Sequence, residues 1–261
     1  MPRIPAERVA SASAAWNWYP DDARVVRTDD YLLVRFPDWF FTPLEILSFT
    51  PAMSGRTTHE AFAEALERAA GLDAEALHVW VKLDAPKDLA PLLVERGAEV
   101  TETLDVFAMA PSEVIETSVV PGVSVEPVAD EAGVLEFERI GATVFGGDVP
   151  PSEELGRILT EVRAEQEVGA GRWLARVDGR AVGVGGASVA EGVTRLWGGA
   201  VLEEARGRGV YRAVLAERLR VAAAHGCDLA LVKGRVETSG PILRRSGFEV
   251  FGREVQYRLP L

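Results

Sequence analysis

Two short stretches of this sequence each occur twice, nearly the same distance apart. AEALERAA (Ala63–Ala70) matches AERLRVAA (Ala216–Ala223) at five of eight positions, and LLVERGAEV (Leu92–Val100) shares Leu, Gly, Glu and Val with ILRRSGFEV (Ile242–Val250). The separations are 153 and 150 residues, so the two echoes stand almost in register. A duplicated unit restricts the fold more tightly than composition does, because both copies must present the same elements in the same order.

Hydrophobic periodicity supplies that order. In the first half YLLVRF (Tyr31–Phe36) and FFTPLEILSF (Phe40–Phe49) read as strands, and THEAFAEALERAAG (Thr58–Gly71) reads as a helix with a Thr cap and a closing Gly. ALHVWVKL, PKDLAPLLVERGA and EVTETLDVFAMA follow as strand, helix and strand. PSEVIETSVVPGVSVEP (Pro111–Pro127), with its prolines, serines and Pro-Gly turn, marks a domain boundary, giving domains at residues 1–115 and 116–261. In the second half VSVEPV is a strand, and EAGVLEFERIGATVFG and SEELGRILTEVRAEQEVG are helices. RWLARVDGRAVGVGGASV gives two strands joined at Asp178-Gly179, a frequent hairpin dipeptide. LWGGAVLEEARGRGVYRAVLAERL (Leu196–Leu219) is then strand, turn and helix, and DLALVKGRV, SGPILRRSGF and EVFGREVQYRLPL close the chain as strand, helix and strand. The fold class is therefore α/β, with a mixed sheet and helices in each half.

Bulk chemistry removes several classes of function. The chain of 261 residues has 48% hydrophobic residues, enough for packed cores, and no apolar run approaches the roughly 18 residues of a membrane span. Arg3 and Arg8 near the start have no apolar stretch behind them, so the expectation is a cytoplasmic protein without a secretory signal. One cysteine, Cys227, excludes an intrachain disulfide and a thiolate cluster, and His59, His78 and His225 have no partners at metal-ligand spacing. The net charge of −12 is uneven: up to Val120 there are 10 basic against 20 acidic residues, and after it 18 against 20. Neither half carries the basic footprint of a nucleic-acid binder.

Chemistry concentrates in the Leu196–Leu219 stretch. Gly198 and Gly199 inside a strand mark a bulge or a place of close approach. Backbone left unpaired there suits an extended ligand lying along the strand. Arg206, Gly207, Arg208 and Gly209 form the turn into the helix. Glycine there admits left-handed backbone without a Cβ in the ligand's path. The first helical amides, at Val210, Tyr211 and Arg212, lack carbonyl partners and point outward with the positive end of the helix dipole. With two guanidinium groups beside it, such a turn is built to hold a phosphate through backbone.

These residues also carry a resemblance. From about Gly122 to Leu261 the chain resembles the GNAT superfamily of N-acetyltransferases. RGRGVY is similar to the family's acetyl-CoA signature, with Arg206 and Gly209 in place and Tyr211 where glycine or alanine is expected. ILRRSGF is similar to its last helix, which ends in Gly-Phe. Only the final four elements of the first half share the likeness, so the chain resembles a tandem of two GNAT-like domains, each a mainly antiparallel twisted sheet flanked by helices, with a degenerate N-terminal copy. The resemblance implies that backbone at Val201, Leu202 and Glu203 meets the pantetheine amides of acetyl-CoA. It further implies that Arg206, Gly207, Arg208, Gly209, Val210 and Tyr211 hold the pyrophosphate. The acetyl thioester would lie near Gly199 and Ala200. The acceptor would be an amine, on a small molecule, peptide or protein, entering beside the two early helices and the FGGDVPP loop. A monomer or homodimer is expected, with neither nucleic acid nor membrane as partner.

Catalytic residues stay unassigned. Leu243 stands where many relatives place the tyrosine that protonates the departing thiolate. Ser239 and Tyr257 are stand-ins that also read as a helix cap and a core aromatic. Glu203 and Glu204 read as bases or as a solvated turn, and Trp173 and Trp197 as core or as acceptor wall. Two rival readings accompany this one. GRGVYR and GVGGAS lack the third glycine of a dinucleotide fingerprint, and Asp228 begins a strand, whereas a ribose ligand belongs at a strand's end. A non-catalytic acyl-CoA-binding or regulatory protein is the other.

Overall fold

The computed structural model describes residues 4–51, 55–113 and 120–261; the middle of the expected boundary segment, residues 114–119, lies outside them. In chain order the first elements are α1 (Ala6–Ala14), β1 (Arg24–Arg27), β2 (Tyr31–Arg35), β3 (Leu44–Phe49), α2 (Thr58–Ala70), β4 (Ala76–Val81), α3 (Leu89–Glu95) and β5 (Glu99–Met109). There follow β6 (Val123–Pro127), α4 (Glu131–Phe145), α5 (Leu155–Glu167), β7 (Gly171–Val177), β8 (Arg180–Ala190) and β9 (Val193–Val201). The last are α6 (Val210–Ala224), β10 (Leu229–Arg235), α7 (Ser239–Arg245) and β11 (Glu249–Pro260). Among the described residues no helix is long and apolar enough to cross a membrane.

The chain forms two compact units that interleave along the sequence. The first holds the chain up to Phe107 together with Gly234–Arg244 and Val250–Leu261; the second holds Ala108–Lys233 and Arg245–Glu249. In the first, the strand order is β1-β2-β3-β4-β11-β5. β3 and β4 run parallel, whereas β1–β2, β2–β3 and β4–β11 are antiparallel. The last strand, read from sequence as the end of the second half, thus forms its ladder with the first: Val255–Pro260 faces Val81–Ala76. Leu33, Ile46 and Val79 bury one sheet face under Phe62 of α2 and Leu93 of α3, all fully enclosed. α1 and β1 have no counterpart in the sequence reading. The buried side of α1 is Val9, Ala12 and Ser13, too small and mixed to make an apolar stripe.

One strand is shorter than its sequence suggests. Phe40–Pro43 lies outside β3. Phe36 N–H donates to Pro43 C=O at 2.8 Å, and the Phe40 ring stacks on Phe36 at 4.2 Å. Residues 37–43 are therefore the loop of the β2–β3 hairpin.

In the second unit the order is β10-β9-β8-β7-β6, with β9–β10 parallel and the other pairs antiparallel. Asp178 (φ 51°) and Gly179 (φ 79°) make the two-residue turn between β7 and β8, the left-handed pair such hairpins require. Leu174 and Val184 face α4 and α5, and packing with Phe137, Ile158 and Val162 completes that core. Ala175 and Val182, on the opposite face, meet Val210 and Val214 of α6. Asp130 starts α4 by accepting a hydrogen bond from Gly133 N–H at 2.8 Å, and Gly146, at φ 86°, ends it.

Candidate active site

Strand β9 changes partners part way along. Its parallel pairing with β10 covers Val193–Leu196 against Leu229–Val232, while pairing with β8 continues to Val201 opposite Gly183. The edge of β9 beyond Leu196 is thus open on the β10 side of the described ladder. Leu202 N–H donates to Val182 C=O at 2.9 Å, so that amide belongs to the sheet. Strand alternation turns the backbone of Val201 away from β8, and Glu203 opens a single 3-10 turn, Glu203–Ala205.

The expected bulge lies at the paired glycines. Gly186 faces Trp197 and Val184 faces Ala200, so β9 has one residue more than β8 between these pairs. Gly198 takes a left-handed φ of 59°. A Cβ on Gly199 would sit 2.9 Å from the Tyr211 ring, and one on Gly186 would meet the Trp197 indole at 2.4 Å. Glycine is required at both positions because aromatic rings occupy the space.

The turn from β9 to α6 has the predicted conformation. Gly207 and Gly209 have φ of 74° and 79°, and Gly209 is the residue before the first helical turn, with no side chain capping the amides behind it. A Cβ there would lie 3.0 Å from Val120 Cγ1. Glu203, Arg206, Gly207 and Arg208 are exposed, Val210 is buried, and Tyr211 is half-buried. Arg206 Nε donates to Val201 C=O at 3.4 Å, while Glu204 pairs with Arg180 at 2.8 Å. Val210 packs so closely on β8 that a Cβ at Gly183 would be 2.6 Å from its Cγ1. The start of α6 is thereby fixed beside the open edge of β9. Uncapped amides, a helix dipole and two arginines at one place favour negative charge there.

The corresponding helix of the first unit is closed in this respect. Thr57 and Glu60 form a reciprocal capping box at the start of α2, and that hydrogen bonding from Thr57 holds the Glu60 carboxyl below its usual range. A carboxylate thus occupies the end of α2 that an anion would use. Replacing Thr57 with alanine is expected to cost about 1 kcal/mol. An unchanged denaturant midpoint for that variant would contradict the box.

On the face of the second unit that carries α4 and α5, Arg172, Gly186 and Trp197 stand side by side across β7, β8 and β9. The Arg172 guanidinium lies over the Phe137 and Trp197 rings at 5.6 and 5.7 Å and bonds Glu138 at 2.6 Å. Burial raises the carboxyls of Glu138 and Glu165 above the ordinary range, with Arg172 opposing the shift in both. Trp173 is buried; Trp197 is half-buried and forms part of this aromatic wall. Leu243, Ser239 and Tyr257 belong to the first unit, where Leu243 is fully enclosed and Tyr257 packs on the core around Leu77 and Leu259.

One residue absent from the sequence reading stands behind the bulge. Arg218, on the α6 stripe that includes Val210 and Val214, is 1% exposed and directs Nη1 at the carbonyls of Gly186 (3.0 Å) and Trp197 (3.2 Å). A sequence signal for it exists across the sheet. Gly185 leaves room for the guanidinium, since a Cβ there would be 2.8 Å from Arg218 Cζ.

Comparison with known proteins agrees with this geometry. Residues 146–239, which contain α5, β7–β9, the turn and α6, match the acetyltransferase (GNAT) family model. No curated protein matches the sequence significantly. Among solved structures the chain is similar to a GCN5-related N-acetyltransferase from Kribbella flavida, at 21% identity and TM-score 0.70, over 99% of this chain and 96% of that one. It is similar to a tandem GNAT protein from the clavulanic acid biosynthesis pathway at 16% identity and TM-score 0.66, covering 97% and 87%. A GCN5-related N-acetyltransferase from Sphaerobacter thermophilus gives 17% and 0.64, covering 88% and 80%. The chain has the GNAT fold, and its residues 146–239 match the GNAT family model.

Proposed function

We propose that the second unit binds acetyl-CoA and transfers its acetyl group directly to an amine. The observation that carries this reading is the uncapped start of α6 behind left-handed Gly209, flanked by Arg206 and Arg208. In this reading the diphosphate rests on the amides of Val210 and Tyr211, with Gly207 and Gly209 giving the close approach. The pantetheine arm runs along the open edge of β9 past Glu203, Leu202 and Val201, bonding the backbone that faces away from β8. The thioester then reaches Gly199 and Ala200.

The neutral amine attacks the thioester carbonyl. The tetrahedral oxyanion takes hydrogen bonds from the bulge, the nitrogen gives up a proton to a base or water, the C–S bond breaks, and the thiolate gains a proton as the amide is released. The acceptor enters beside α4, α5 and the residue 146–154 segment. Saturation at 100 times Kd should stabilise the protein by about 2.7 kcal/mol, a rise of several degrees in Tm. A free-thiol assay across a broad amine panel should then report turnover. Binding without thiol release would favour the second reading, a non-catalytic acyl-CoA-binding protein, which the apolar Leu243 also favours.

A further inference from the structure

Among the described residues Arg218 is the largest fully buried side chain, and no Asp or Glu pairs with it. Its contacts are the carbonyls of Val214, Gly186 and Trp197, and Tyr211 is the ionisable side chain beside it. Such a cation is costly to enclose, and an apolar side chain of similar volume would serve packing better. Two glycines nevertheless open the space: Gly185 under the guanidinium, and Gly199 beside Tyr211 and Arg218 Nη2.

The two carbonyls it binds belong to residues paired across β8 and β9 beside the register shift. One guanidinium nitrogen thus ties both strands together at the bulge. The Trp197 carbonyl and the Gly198 N–H belong to one trans peptide, so they point in opposite directions. A guanidinium on that oxygen withdraws electron density from the peptide and strengthens the N–H as a donor.

We propose that Arg218 is a positioning residue for acyl transfer: it clamps the carbonyls of Gly186 and Trp197, keeps the bulge turned away from β8, and polarises the Gly198 N–H toward the thioester oxygen. This rests on the acetyl-CoA reading above. The step gains where negative charge grows on that oxygen, so the effect falls on turnover rather than on cofactor affinity.

Two measurements test it. In wild-type protein, infrared difference spectra with carbonyl-¹³C acetyl-CoA should show the thioester stretch at lower frequency than in water. Arg218→Met should bind acetyl-CoA with unchanged Kd yet lose about 100-fold in kcat, the scale of one lost oxyanion donor. Arg218→Lys, which restores the charge, should recover part of that loss and of the spectral shift. An unshifted carbonyl in the wild-type complex overturns the proposal even where the variants fail to fold, as does wild-type kcat in Arg218→Met. Absence of acetyl-CoA binding to wild-type protein removes both this inference and the function beneath it.

Discussion

Gly209→Asp should remove most of the acetyl-CoA-dependent rise in melting temperature. The residue occupies a left-handed conformation that Asp and Asn tolerate better than other side chains, and a carboxylate suits a helix start, so the fold should survive. The same carboxylate would lie over the amides of Val210 and Tyr211 and repel the diphosphate. An affinity loss of about 100-fold, near 2.7 kcal/mol, is expected. Gly209→Asn, which brings similar crowding against Val120 without charge, should retain measurable binding. Equal losses in both variants would assign the effect to crowding, and an unchanged thermal shift in Gly209→Asp would exclude the phosphate site.

Glu45→Gln should raise stability by about 3 kcal/mol at pH 8 and by little at pH 5. Glu45 lies on β3 in the first unit, enclosed, and burial raises its carboxyl to about 7 against the bonds from Thr42, Trp80 and Gln256 and the charge of Lys82. Gln256 Nε2 approaches it at 3.3 Å, and the Lys82 ammonium is held by Asn17 Oδ1 at 2.7 Å. Unfolded chains release the Glu45 proton near the ordinary carboxyl value, while the folded chain keeps it to about 7. Stability contributed by this group therefore falls as pH rises through that window and is level above it. Glutamine cannot ionise and escapes the loss. Denaturant midpoints of the two proteins should diverge between pH 5 and pH 8. A constant difference would show that Glu45 does not carry the charge change.

Much of the candidate site is legible in the sequence because its constraints are local. A left-handed backbone before a helix demands glycine, and Gly207 and Gly209 are found there with positive φ. The Gly198-Gly199 pair marks the bulge, and Asp178-Gly179 marks the hairpin, for the same steric reason. Features set by distant partners are not legible. β11 reads as a strand, yet nothing in EVFGREVQYRLPL states that its ladder runs to β4. α6 carries Arg212, Glu217, Arg218 and Arg220, and helical periodicity alone does not single out which of them is enclosed. Only the pairing of Arg218 with Gly185, across two elements, distinguishes it. The start of α2 lies between these cases: Thr57 and Glu60 are three residues apart in a capping-box pattern, but their consequence for an anion depends on where α2 begins.

In the function proposed above, the start of α6 holds the diphosphate of a coenzyme A thioester. A crystal structure of the wild-type chain with CoA tests it directly. Density for the diphosphate is expected over the amides of Val210 and Tyr211, between Arg206 and Arg208, with the pantetheine arm following β9. A diphosphate bound at any other place on the molecule would contradict it.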